Sequence, residues 1–124
     1  MKPNYYFMLI FPFLVVASPA LALDGDTWRY PATVERVIDG DTFVAEIDLG
    51  LSVKLKRSVL LLGYDAPERG TTGFAKSRDA LKSKLDSCKE VWIVTDRAKQ
   101  IDGFGRVLAH VLCDQSDVAG MMKE

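Results

Sequence analysis

ATVERVIDGDTFVAEIDLGLSVKLKRSVLLL, residues 32–62, is the stretch on which the fold turns. Ala32 to Ile38 reads as a strand, with Val34 and Val37 set among polar residues. Asp39, Gly40 and Asp41 are turn chemistry: short polar side chains bond their own backbone, and glycine relaxes the steric limits. Thr42 to Asp48 resumes as a strand rich in β-formers. Gly50 marks the next turn. Ser52 to Leu62 is a longer strand whose end, Val59 to Leu62, is a solid apolar run, which predicts burial on both faces.

Beyond this stretch, Pro67 and Gly70 argue against helix, so Gly63 to Thr72 is a loop. Phe74, Leu81, Leu85 and Cys88 recur at helical spacing, giving an amphipathic helix over roughly Gly73 to Ser87 with Thr72 as its N-cap. Glu90 to Thr95 is a fourth strand, Asp96 to Gly105 a polar loop and Arg106 to Cys113 a fifth strand. Asp117 to Lys123 begins a short helix. Three strands, a helix and two strands make a mainly β chain with the order of an OB-fold, a five-stranded Greek-key barrel with a helix between strands three and four and a truncated C-terminal helix.

Working toward the N-terminus, Lys2 precedes an apolar run from Tyr6 to Val16 broken only by Pro12, and Ser18 to Ala22 supply small residues of an A-x-A cleavage site. This pattern predicts a secretory signal peptide over residues 1–22 and a single domain over 23–124. A membrane anchor is the competing reading, but the run falls short of the ~20 residues that span a bilayer. The expected product is secreted or periplasmic, with no stable membrane association after cleavage. Lys2 is the only charge in the signal, so the mature chain carries 15 of the 16 basic residues against 17 acidic ones. A net negative chain excludes broad phosphate neutralisation, so any polyanion would have to meet a local basic patch. Export also predicts a disulfide between Cys88 and Cys113, which a hairpin centred near Ile101 places roughly opposite one another. The single histidine, His110, leaves no Cys/His zinc cluster and is read as structural.

The acidic residues Asp39, Asp41, Asp65 and Glu68 follow the ends of the first and third strands, which a barrel can bring to one rim. Carboxylates gathered closely repel and raise one another's pKa unless a cation compensates them. A hard cation such as Ca²⁺ accepts carboxylate, carbonyl and water oxygens and can polarise a phosphoryl oxygen. The plainer alternative is that Asp39 and Asp41 shape a turn while Asp65 and Glu68 solvate a loop. Asp24 to Thr27 repeats the Asp-Gly-Asp-Thr sequence of Asp39 to Thr42; the second copy, between two strands, is taken as the working one.

Val37-Ile38-Asp39-Gly40-Asp41-Thr42, then Leu61-Leu62-Gly63-Tyr64-Asp65-Ala66-Pro67-Glu68, then Gly105-Arg106, resembles the staphylococcal nuclease (thermonuclease) family over about Ala32 to Asp117. The resemblance implies an OB-fold, Ca²⁺-dependent phosphodiesterase acting on DNA or RNA; separately, a monomer is expected. It implies that Asp41, Asp65 and the Ala66 carbonyl hold calcium and that Asp39 supports them. It implies Glu68 as general base and Arg106 as a phosphate-binding arginine, whose planar fork suits two phosphate oxygens.

The chain departs from the family pattern where a second arginine is expected, five residues before Asp65; that position is Leu60. Arg57 lies at an odd offset from it, on the opposite face of a regular strand, and Lys56 lies ~13 Å along the strand. Gly103 and Phe104 stand where the family often has lysine and tyrosine; Phe104 is placed to stack on a base. Losing one donor from a preorganised phosphate site commonly costs roughly 10²–10³ in rate. The expectation is a weakened nuclease, with an inactive nucleic-acid-binding module of the same fold as the alternative. Lys76, Arg78, Lys82 and Lys84 form a basic helix face whose default reading is a solvated surface.

Overall fold

In the computed structural model, which describes residues 26–124, the chain enters through a 13-residue strand, β1 (Thr27–Asp39). The signal assigned to residues 1–22 lies outside the described residues. β1 begins earlier than the sequence suggests. Trp28 and Tyr30 lie in the ladder opposite Thr95 and Ile93. Pro31 pairs with Trp92 at an exposed position. A proline is tolerated in a ladder where its missing N–H is not needed.

β1 serves two partners. Its first half pairs antiparallel with β4 (Val91–Asp96), its second half with β2 (Thr42–Asp48), and Ala32 belongs to both ladders. Two register shifts, at Glu35 and Ile38, bend the second half. Such bulges insert a residue and increase the local twist, which helps a sheet curl.

β2 continues antiparallel into β3 (Lys54–Leu61) and β4 into β5 (Val107–Cys113). Closure comes from a parallel pairing of Val59, Leu60 and Leu61 with Val107, Leu108 and Ala109. The order β3-β2-β1-β4-β5, closed by β3–β5, is a five-stranded mixed barrel, as expected for an OB-fold. A two-residue strand, β6 (Ser116–Asp117), pairs with the end of β5 and leads into the short helix α2 (Val118–Met122).

Alternating inward residues fill the barrel: Phe43, Ile47, Val59, Leu61, Ile93 and Val111 are all fully or almost fully buried. Each such side chain is worth roughly 1.5–3 kcal/mol relative to an exposed one. Helix α1 (Phe74–Asp86) adds Leu81 and Leu85 to this core. Two expectations need correction. The run Val59 to Leu62 is not buried on both faces: Val59 and Leu61 point inward, while Leu60 and Leu62 remain half-buried on the outer side. Thr72 does not cap α1. Gly73 is the cap, with φ 95°, and no side chain bonds the helix start.

Cys88 and Cys113 form the expected disulfide, with Cα atoms 5.4 Å apart. The ladder partner of Cys113 is Val91, so Cys88 reaches it from the turn after α1 rather than from a paired position. The bond fastens the end of the helix to the last barrel strand across 25 residues of chain. A closure of that size stabilises by about 2–4 kcal/mol.

Candidate functional site

The site is assembled around Gly40. It sits in the two-residue turn between the paired residues Asp39 and Thr42. A Cβ atom there would lie 1.8 Å from the Ser77 hydroxyl oxygen and 2.9 Å from the Ala66 side chain. Only hydrogen at this position lets the turn, the Asp65 loop and α1 meet. Ser77 is buried and exchanges a 3.1 Å hydrogen bond with the Tyr64 hydroxyl, tying α1 to the same loop.

Asp41 is held from three sides. Its carbonyl accepts the Leu61 N–H at 2.7 Å, which fixes the turn to the end of β3. One carboxylate oxygen accepts the Thr42 hydroxyl at 3.1 Å, and the other accepts the Ala66 N–H at 3.2 Å. The Asp41 N–H in turn donates to Asp39 Oδ1 at 3.1 Å. The two turns of sequence that carry the acidic residues are thus linked by backbone-to-carboxylate bonds.

This packing acts on ionisation. Burial, and then the neighbouring Asp39 carboxylate, push the Asp41 pKa up to about 6, against the pull of the Ala66 N–H and the Thr42 hydroxyl. For Asp39, burial also works upward, but bonds from Asp41 and Thr42 outweigh it and leave the group below its ordinary value. One acid is held ionised and its neighbour resists ionisation, the pattern of two carboxylates sharing too little positive charge.

A cleft of about 700 Å³ opens beside these residues, lined by Asp41, Leu60, Asp65, Arg106 and Lys123 together with the 61–64 backbone segment. It brings together three of the sequence-predicted residues, Asp41, Asp65 and Arg106. Leu60 forms part of its wall, half-buried, so an apolar side chain occupies the place of the missing cation. Arg57 is exposed and bonds the Lys56 carbonyl, and Lys56 pairs with Glu35 at 2.6 Å. Neither reaches the cleft.

Glu68 and Phe104 are not part of this lining. Glu68 is exposed; its carbonyl accepts the Thr71 N–H and hydroxyl, which closes a turn. Phe104 is 87% exposed, with the Arg106 guanidinium 5.4 Å from its ring centre. Arg106 is more committed than its sequence context suggests. Its Nε donates to Asp102 Oδ2 at 2.6 Å, and its backbone N–H donates to Asp102 Oδ1 at 2.9 Å. For Asp102, slight burial is outweighed by the N–H groups of Arg106 and Phe104 and by the guanidinium, so its pKa is lowered. The Asp102-Gly103 dipeptide was the available signal for this tight turn.

Among the described residues, no three His, Cys, Asp or Glu side chains converge closely enough to enclose a metal ion. Asp41 and Asp65 alone make an open donor set. A hard cation fits such a set when backbone carbonyls and waters complete its six to eight oxygens. The upward pressure on Asp41 is what a bound cation would relieve. The basic face of α1 is partly neutralised: Arg78 pairs with Asp79 and Lys82 with Asp86. No protein-family model matches the sequence, and no curated protein is detectably similar to it.

Proposed function

We propose that this chain is an exported, Ca²⁺-dependent phosphodiesterase of the thermonuclease kind, acting slowly on DNA or RNA. The observation that carries the reading is the cleft that Asp41 and Asp65, from two separate loops, line together with Arg106. A carboxylate pair in one cleft with a guanidinium would suit a phosphodiester, with acids to hold a cation and a donor for its free oxygens. The sequence resemblance assigns the same three residues to the same chemistry.

In this reading Asp41 and Asp65 hold the cation, with the Ala66 carbonyl as a further oxygen. Bound there, the cation supplies polarisation of a phosphoryl oxygen. Arg106 keeps Nε on Asp102 and offers its terminal nitrogens to the phosphate. Asp102 therefore positions the guanidinium. Glu68 takes the proton of the attacking water after its exposed side chain turns toward the cleft. Leu60 contributes no charge and keeps the rate low.

A second reading has support of its own. Glu68 lies outside the cleft lining, and Leu60 removes a donor, so the same barrel would bind a nucleic-acid strand without cutting it. One experiment separates the two. The mature protein is incubated with single-stranded DNA, in Ca²⁺ and in chelator, beside Glu68→Gln and Leu60→Arg. The enzyme reading expects slow cleavage that chelator abolishes and that Glu68→Gln lowers by about 10²–10⁴, the usual worth of a general base. It expects Leu60→Arg to raise the rate. Silence from the parent with cleavage by Leu60→Arg would show a decayed site and leave the binding module.

A further inference from the structure

The proposed reaction leaves a shortage of positive charge, and the cleft contains a residue that meets it. Lys123 lines the same cleft as Asp41, Asp65 and Arg106. Nothing near it in the sequence marks it out; its place depends on how α2 is docked. Val118 and Ala119 are buried to 2% exposure or less, and Met122 packs on the core. A Cβ at Gly63 would lie 3.2 Å from the Ala119 side chain, so α2 seats closely against the loop that follows β3. This seating delivers Lys123, the C-cap residue of α2, to the cleft edge.

The two cations there differ in their commitments. Arg106 already spends Nε on Asp102 and one face on Phe104. Lys123 is exposed and, among the described residues, makes no ion pair. Neither its charge nor its three donors are used by the fold. A lysine is also suited to phosphate as a mobile point charge, where arginine supplies a fixed fork.

We propose that Lys123 is the second phosphate-binding cation of the cleft, acting with Arg106 across the wall that Leu60 forms. The inference rests on the reading of the cleft as a nucleic-acid site and adds a residue to it. Lys123 holds the strand rather than reacting, so its removal weakens binding more than it alters turnover.

The test is fluorescence anisotropy with a fluorescein-labelled phosphorothioate oligothymidylate in Ca²⁺, over a range of salt, reading binding and not cleavage. Lys123→Gln is expected to weaken binding about tenfold, the worth of one charge-assisted hydrogen bond. The dependence of log affinity on log salt should flatten by about 0.7, one phosphate contact on a single strand. Lys123→Arg should restore both. Lys89→Gln should leave both unchanged, since Lys89 lies beside Asp114, beyond the far end of β5 from Arg106. If Lys123→Gln binds like the parent while Arg106→Gln does not, the inference fails and the proposed function stands. If the parent itself does not bind the strand, both fall.

Discussion

Strand β2 lies between two glycine-containing turns with very different surroundings. At its start, Gly40 and Asp41 are wedged between α1 and the Asp65 loop, and a single added methyl would collide with both. At its end, Gly50, Leu51 and Ser52 all take positive φ, and nothing lies within 4 Å of a Cβ built on Gly50. Leu51 is 99% exposed. Both turns carry an aspartate that bonds a backbone N–H two residues on: Asp39 to Asp41 and Asp48 to Gly50. The aspartate-to-backbone bond is therefore common to both turns, and what surrounds them differs. Packing forces charge into the first turn, and the second stays a solvent-facing connection.

The largest break in this contrast comes from Gly40→Ala. Overpacking of a closed contact costs about 1–3 kcal/mol, and here it also separates Asp41 from Ala66. Urea unfolding should show that loss, and cleavage should fall with it. Gly50→Ala meets no atom and should cost only about 1 kcal/mol, for its left-handed backbone. Equal losses at the two glycines would mean that the first turn is not packed as described.

A smaller effect sharpens the electrostatic half of the comparison. Asp41 has its folded pKa raised to about 6 from an ordinary value of 3.8. The folded state therefore holds a proton that the unfolded state has already released. In metal-free protein, the Asp41 contribution to stability should fall as pH rises from about 4 through 6. Asp41→Asn should remove that fall and melt higher than the parent at pH 7. Solvent screening of this half-exposed group keeps the gain modest. A parent whose melting temperature shows the same pH trend as Asp41→Asn would contradict the assignment.

The smallest change belongs to the exposed turn. Replacing Leu51 and Ser52 by asparagine and glycine supplies residues that favour positive φ at both positions. A stabilisation of about 0.4–1 kcal/mol is expected, with the proposed cleavage untouched, measured by the urea midpoint and the cleavage assay. A loss of activity would show that the second turn is functional after all.

Much of the barrel is legible in the sequence because its strands are runs of β-forming residues set off by turn residues. Thr42 to Asp48 is the strand expected, to the residue. Trp28 to Pro31 was not read as strand; this half of β1 pairs with β4, far along the chain, and leaves Pro31 exposed. Leu60 and Leu62 look like core, yet they line the cleft. In the cleft, Asp41, Asp65 and Arg106 are the residues that the family resemblance singled out. Lys123 and Asp102 were not singled out, since one depends on how a five-residue helix docks and the other on a turn folding back on itself. Glu68 was assigned by motif alone; it is exposed and is not among the residues that line the cleft.

The disulfide has a consequence for survival among proteases. Cys88 and Cys113 enclose the whole segment from β4 through the 97–105 loop to β5 in one covalent ring. That loop exposes Arg97 and Lys99, both trypsin-type cleavage positions. A single nick there opens the ring without releasing either fragment. The cut protein would run as one species until reduced, then as two, and β4 and β5 would stay paired in the barrel after the chain between them had been severed.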